Sequence, residues 1–283
     1  MRWLAALVLI GCSGKGGGDG DEVAACAQAG QTEVMVLRQI SFPREVDGVS
    51  PGFDLDEVVT ASGDSTGCGV GDFVAEDGTL GIDNSFARLR PALDTTEAAA
   101  LDSIVLEAIN SGGLLAIVQL DGVGDDPFND DCVDISIRAA VGVPMVGNDG
   151  LLLPGQTFAI DPDADVSTVK GVRIVDGVLE GGPVDLRLPF KFLDADVVFW
   201  LQNGRLRLER DDEGRMWGHV GGGIHTDELS ALAHETGIDE TVEVLLDSVL
   251  GLNADLAPDE TGTCEQLSIT LEVEAVQAFF FEP

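Results

Sequence analysis

The strongest constraint on the fold is the alternation of apolar and polar residues in the second half of the chain. From Val184 to Phe192 every second residue is apolar, which is the period-2 pattern of a half-buried β-strand. Glu33 to Phe42 follows the same pattern, and Leu267 to Pro283 is predicted to form a long final strand. Asn203-Gly204 separates two strand-like runs and predicts a type I′ hairpin between them. These signals indicate an antiparallel meander.

Fewer helices are predicted. Asp94-Thr95-Thr96-Glu97 has the capping-box pattern of a helix start, and Gly112-Gly113 follows the apolar stripe and ends it. Two more helices are predicted from Thr226 to about Glu235 and from an Asp239 cap to about Leu250. Strand runs interrupted by a few helices predict an α+β fold, a mostly antiparallel β-sheet or sandwich with about three helices. We assign it to one globular domain, residues 22–283.

The charge balance narrows the range of partners. The chain has 51 Asp+Glu against 15 Lys+Arg, a formal net charge of -36, while 45% of its residues are apolar. The apolar fraction is enough to build a normal core. The negative surface repels phosphate backbones and anionic headgroups alike. Nucleic acid is therefore excluded as an expected partner.

The first eleven residues have the pattern of an export signal. Met1-Arg2 is a short basic start, and the eight residues from Trp3 to Ile10 are all apolar. Eight apolar residues are too few to span a bilayer as a helix, which needs about 20. Residues 1–11 are therefore predicted to be a cleaved signal peptide.

Leu9-Ile10-Gly11-Cys12 resembles the lipobox of bacterial lipoproteins. The resemblance covers only the first dozen residues. It implies that Cys12 carries fatty acyl chains, which anchor the exported protein in a membrane. Ser13 after the cysteine implies sorting to the outer membrane. The Gly-rich stretch that follows makes residues 12–21 the lipidated cysteine and a flexible tether.

Four cysteines remain if Cys12 is lipidated, an even number in an oxidising compartment. Two disulfides are therefore predicted among Cys26, Cys68, Cys132 and Cys264. Three connectivities are possible. The favoured one joins Cys26 to Cys264, beside the first and last strands, and Cys68 to Cys132, which ties two Asp-rich loops. A zinc site is disfavoured because no pair has C-x-x-C spacing.

Two acidic segments are candidate calcium sites. Asp161, Asp163 and Asp165 have the i, i+2, i+4 spacing of calcium loops, but the pattern favours an ordinary solvated turn with Pro162 at its corner at least as strongly. A second set lies in the long Gly- and Asp-rich region from Ser50 to Asn84. Its carboxylates repel one another unless a cation or water separates them. The candidate ligands there are Asp54, Asp56, Asp77 and Asp83, with Asp72 nearby.

Catalytic motifs are weak. His219, His225 and His234 do not form H-E-x-x-H or another zinc spacing, and G-x-S-x-G does not occur. The expected function is a non-catalytic interaction or structural module of a membrane-anchored lipoprotein, with calcium-stabilised acidic loops. The alternatives are a periplasmic or surface carrier of an apolar ligand and a hydrolase with an acidic site.

The lipobox hypothesis predicts the behaviour of Cys12→Ala. The wild-type protein should partition into detergent because its acyl chains favour an apolar phase, whereas the variant should remain an uncleaved or soluble precursor. Phase partitioning followed by mass measurement of the N-terminal peptide checks both properties. Unchanged detergent partitioning of the variant would refute lipid attachment at Cys12.

Overall fold

The computed structural model describes Cys26 and residues 30–282, apart from positions 65, 96, 193–194 and 236–239. The predicted signal peptide (1–11), Cys12 and the tether (12–21) lie outside the described residues. The described strands are β1 (Gln31–Ser41), β2 (Phe73–Val74), β3 (Leu80–Ile82), β4 (Ala116–Val123), β5 (Asp130–Val141), β6 (Gln156–Ile160), β7 (Val166–Val175), β8 (Val178–Phe192), β9 (Ala195–Arg210), β10 (Met216–His225), β11 (Leu256–Pro258) and β12 (Cys264–Phe281). The described α-helices are α1 (Ser85–Leu93), α2 (Leu101–Ser111), α3 (Thr226–Glu235) and α4 (Glu240–Asn253).

Eight strands close into an antiparallel barrel in chain order. Each of β1, β4, β5, β7, β8, β9, β10 and β12 pairs with the next, and β12 pairs back with β1. Met35 lies opposite Gln277 and Ile40 opposite Val273 in the closing pair. The predicted antiparallel sheet is confirmed, and closure distinguishes it from a sandwich. Closure removes the unpaired edges that an open sheet would expose.

Apolar side chains fill the barrel interior. Because side chains alternate along a strand, one face of every barrel strand points inward. Leu37, Met216 and Ala275 are neighbours across three adjacent strands and are all buried. Inward residues from the whole circuit form one continuous core. An eight-stranded barrel is just wide enough for such filling.

Helix α2 covers one end of the barrel. It contacts β1 and β8, which lie on opposite sides of the circuit. Val105, Ala108 and Ile109 are buried and belong to the same core as the inward barrel residues. The helix ends at Gly112, whose φ of 83° is left-handed, as the Gly-Gly pair predicted. The apolar stripe of α2 therefore closes this end of the barrel.

A short outer layer covers part of the barrel wall. Strand β6 pairs in parallel with residues 278–281 of β12 and antiparallel with the end of β5. Val36 and Ile117 face away from the barrel interior, yet both are fully buried. Phe158 of β6 is also buried and belongs to the same apolar cluster. This layer explains why β1 and β4 carry apolar residues on both faces.

Two local predictions are wrong. Asp94 does not cap α2: it follows α1, its carboxylate accepts a 2.8 Å hydrogen bond from Arg44, and α2 begins only at Leu101. Asn203-Gly204 does not form a hairpin but lies inside β9. Asn203 has a φ of 50°, and the register against β8 shifts beside it. The left-handed preference of Asn is used in a bulge instead of a turn.

The two predicted disulfides are confirmed, but the predicted connectivity, Cys26–Cys264 and Cys68–Cys132, is wrong. The structure joins Cys26 to Cys132 and Cys68 to Cys264. The first and last strands do pair, but β1 contacts residues 272–277 of β12 and not its beginning at Cys264. The disulfides indicate an oxidising, extracytoplasmic compartment. Within the described residues, no helix combines the length and apolarity needed to cross a bilayer.

We expect the double variant Cys68→Ala, Cys264→Ala to lower the free energy of unfolding by about 2–5 kcal/mol, because the disulfide closes a long loop and restricts the unfolded chain. The two cysteines are 196 residues apart. Urea unfolding of the variant and the wild type measures the difference. Peptide mapping without reductant provides the check on connectivity, and a fragment that joins Cys26 to Cys264 would contradict the structure.

Candidate functional site

The structure brings together three of the predicted calcium ligands. Asp54, Asp56 and Asp83 each place one carboxylate oxygen within 4.8 Å of the others. Among the described residues, this is the one group of three or more His, Cys, Asp or Glu side chains with that proximity. The group lies outside the barrel, in the loop region between β1 and α1. The sequence-based assignment of this region as an ion-binding candidate therefore has a geometric basis.

A backbone bridge holds the three carboxylates in place. Phe53 and Asp83 form an isolated antiparallel bridge, in which the Asp83 N–H donates to the Phe53 carbonyl at 2.9 Å. The next residue but one, Leu55, donates its N–H to the Asp83 carboxylate at 2.6 Å. Asp54 and Asp56 flank Leu55 in the chain. The loop thus wraps around the Asp83 side chain and carries both other carboxylates with it.

Gly81 makes room for Asp54. Its φ of 81° lies in the left-handed region, and a Cβ at this position would lie 3.3 Å from a carboxylate oxygen of Asp54. A side chain at position 81 would therefore be strained and would press on the acidic group. The other carboxylate oxygen of Asp54 is buried without a hydrogen-bond partner among the described residues. Such an oxygen is costly to leave unpaired.

Burial dominates the electrostatics of Asp83. Only 2% of the surface of this residue is exposed to solvent. Burial is the largest cause, and together with the nearby carboxylates Asp255, Asp56 and Asp72 it raises the pKa of the Asp83 carboxyl to about 8. The hydrogen bond from Leu55 acts in the opposite direction. Burial also raises the pKa of Asp56 and Asp72 above the ordinary value. A positive charge bound beside these carboxyls would favour loss of their protons at lower pH.

A buried polar layer, which the sequence analysis missed, fastens this region to the outer face of β12. Ser268 and Ser85 both donate hydroxyl hydrogen bonds to the Asp255 carboxylate, at 2.5 Å and 2.7 Å. Asn84 accepts a 3.1 Å hydrogen bond from the Thr270 N–H. All five residues are at most 5% exposed. The sequence signal was the run of three polar residues, Asp83-Asn84-Ser85, at the start of α1.

Burial raises the pKa of Asp255 to about 6, and its serine and backbone hydrogen bonds limit the increase. This carboxylate is satisfied by protein donors, unlike that of Asp54. Asp255 therefore has a structural role in holding α1 against β12. The disulfide from Cys68 to Cys264 ties the same loop region to the beginning of β12.

The other predicted ligands lie elsewhere. Asp77 is exposed and accepts a 2.9 Å hydrogen bond from the Thr79 N–H, which lowers its pKa. Asp161 accepts a 3.0 Å hydrogen bond from the Asp163 N–H in the turn between β6 and β7. Asp165 lies 3.4 Å from the Arg187 guanidinium. The 161–165 segment therefore has the geometry of a solvated turn, with an arginine beside its third carboxylate.

The histidines are spread over different contacts. His219 lies 3.8 Å from Glu272, and His225 is 3.3 Å from the Gln266 side chain. The side chain of His234 lies outside the described residues. Neither described histidine belongs to the Asp54, Asp56 and Asp83 group. These contacts are those of ordinary surface and strand-end histidines.

The three carboxylates offer oxygen ligands alone. Hard cations such as calcium prefer oxygen, and calcium takes six to eight oxygen ligands that include backbone carbonyls and water. The nearby backbone and solvent can complete such a shell around three carboxylates. No protein-family model, curated protein or solved structure matches this chain. The chemistry of the site is therefore argued from its own geometry.

We expect metal-free protein to lose stability as the pH rises from about 4 to about 8. Folding raises the pKa of Asp83 from 3.8 to about 8, so the folded state binds more protons than the unfolded state across this range. The free energy of unfolding then falls with rising pH and levels off above pH 8. Asp255 adds to the fall up to about pH 6.

Asp83→Asn should remove the part of this fall between pH 6 and 8, because a neutral amide has the same shape and does not titrate. Urea unfolding in the presence of a chelator at several pH values measures the effect. Asp77→Asn is the matched control, since that exposed carboxyl has a lowered pKa. Parallel pH profiles for the wild type and Asp83→Asn would contradict the assignment.

Proposed function

We propose that this protein is a lipid-anchored, non-catalytic module of the bacterial envelope, in which calcium holds an acidic loop layer against a rigid β-barrel. The observation that carries the proposal is the convergence of Asp54, Asp56 and Asp83 within 4.8 Å. The barrel supplies the scaffold, and the loops between β1 and α1 supply the variable surface. The lipid on Cys12 supplies the attachment to the outer membrane.

Calcium fits this site for two physical reasons. The buried, unpaired oxygen of Asp54 and the buried carboxyl of Asp83 both gain a partner when a cation binds. Extracytoplasmic calcium reaches millimolar concentrations, at which even weak oxygen sites are occupied. Magnesium fits less well because it demands a smaller octahedral shell and dehydrates reluctantly. The disulfides support an extracytoplasmic compartment, where this supply of calcium exists.

The carrier alternative receives no support from the barrel interior. In the described residues, the inward side chains form one continuous packed core, and α2 covers one end. An apolar ligand would need to displace this core. The hydrolase alternative needs a general acid, a carboxyl of raised pKa, in an open cleft. Asp83 and Asp255, whose pKa values are raised most, are both buried. We therefore favour a binding or structural role for the outer surface.

Thermal unfolding in calcium and in magnesium tests the proposed site. At a calcium concentration about tenfold above its Kd, the linkage between binding and folding should raise the melting temperature by about 3–6 °C. An equal concentration of magnesium should raise it less. The double variant Asp54→Asn, Asp56→Asn should lose the difference between the two metals, because two of the three charged ligands become neutral.

Asp161→Asn with Asp163→Asn is the matched control. It removes the same charge from another acidic turn, so it should keep the calcium preference of the wild type. Equal shifts with both metals in the wild type would leave only screening of a negative surface and would refute the site. Loss of the preference in the control alone would move the site to the 161–165 turn.

A further inference from the structure

A long groove runs along the outside of the barrel, apart from the packed interior. It has a volume of about 1290 Å³. One side is the outer wall of the barrel, with Glu180, Arg207 and His219, and the other is the loop layer, with Phe53 and Glu76. A site for one small ligand typically occupies about 300–1,000 Å³. The groove is therefore large enough for a segment of extended chain.

Carboxylates are concentrated in this groove. Eight of its 25 lining residues are Asp or Glu, nearly one in three, against 51 of 283 in the whole chain, fewer than one in five. They come from both sides, as Asp54, Glu57 and Glu76 belong to the loops and Glu180 and Glu209 to the barrel. Three arginines also line the groove, so its eight carboxylates exceed its arginines by five. A positively charged occupant is favoured by this arrangement.

Two of the protein's own arginines already pair with groove carboxylates. Arg205 lies 3.0 Å from Glu57 and so bridges the barrel and the loop layer, and Arg207 pairs with Glu180. All four side chains are more than 40% exposed. Exposed ion pairs of this kind contribute little to stability. The groove thus accepts guanidinium groups in a geometry that an incoming basic chain can take over.

The groove also has apolar surface between the charges. The half-buried Phe53 lines it, above the buried Phe42 and Ile82. The Phe53 ring packs against Gly221 of β10, where a Cβ would lie 2.8 Å from the ring. Arginine and lysine bury their aliphatic stems on such surfaces while their charged ends reach outward. The apolar floor of the groove is complementary to the aliphatic stems of basic side chains, and its acidic sides are complementary to their charged ends.

We propose that this groove binds an extended, arginine- and lysine-rich peptide segment of a partner protein. The proposal goes beyond the calcium-stabilised module, because it names the chemistry of the partner and its place. The apolar floor favours a peptide over a bare polyamine, and the negative charge excludes nucleic acid and anionic lipid. The packed barrel supplies one rigid side of the groove, and the loop layer supplies the other.

Binding of a short fluorescent peptide of alternating Arg and Ala to the full chain in detergent tests the proposal, with fluorescence anisotropy as the measurement. The triple variant Glu57→Gln, Glu76→Gln, Glu180→Gln should weaken binding at least about tenfold at physiological ionic strength. None of these three residues belongs to the Asp54, Asp56 and Asp83 group, so the variant keeps every proposed calcium ligand. Circular dichroism and the melting temperature should show that the variant remains folded.

The matched control neutralises three exposed carboxylates away from the groove, Asp125→Asn, Asp212→Asn and Glu260→Gln. It makes the same change in net charge and should alter the Kd less than about twofold. Equal weakening by both triple variants would show diffuse attraction and overturn the proposal. Displacement of the peptide by spermine at matched charge concentration would assign the groove to a small polycation and would also overturn it.

Discussion

The pairing of β1 with β12 is the interaction on which the rest of the structure depends. These strands come from opposite ends of the described chain, so their hydrogen bonds form only after a very long loop has closed. Once formed, they convert a meander into a barrel without free edges and place β12 between β1 and β10. Strand β12 then has one face in the barrel core and the other on the outer wall, where α1 packs. Strand β11 pairs with the first residues of β12. The position and the burial of the candidate site follow from this placement of β12.

The outer face of β12 carries fully buried polar residues, which is unusual for the wall of a barrel. Ser268 and Thr270 have no exposed surface, and their backbone or hydroxyl groups are paired with Asp255 and Asn84. These hydrogen bonds offset the desolvation of the polar groups and specify where α1 lies. The same burial acts on Asp83, whose carboxylate receives a backbone N–H but, within the part of the chain that the structure describes, no cationic side chain. The burial that accompanies this polar layer therefore also favours the binding of a positive charge beside the Asp83 carboxylate.

A packed interior and an acidic exterior direct function to the surface. The inward side chains of the eight barrel strands form a continuous core, which makes the barrel a rigid support instead of a container. The proposed calcium site and the groove share Asp54 and the loop layer, so an ion bound at that site would also shape one side of the groove. The two proposals rest on different observations, convergence of three carboxylates for the ion and a lined cavity for the peptide. Both use the excess of negative charge that the sequence shows as a whole.

The sequence by itself determined the properties that depend on neighbouring residues. Alternation identified the strand from Val184 to Phe192 and the final strand in β12, Gly112 marked the end of α2, and acidic composition located Asp54, Asp56 and Asp83 among the candidate ligands. The local sequence pattern did not reveal α1, which contains Pro91. It also did not reveal the contacts among Ser85, Asp255 and Ser268, because Ser85 and Ser268 are 183 residues apart in the chain. Only the tertiary structure decided which cysteines pair, whether Asn203 turns or bulges, and which carboxylates meet. The reason is that the backbone preference and the burial of a residue can be inferred from its near neighbours in the sequence. Its contact partners depend instead on strand order and register, which are set when the barrel closes.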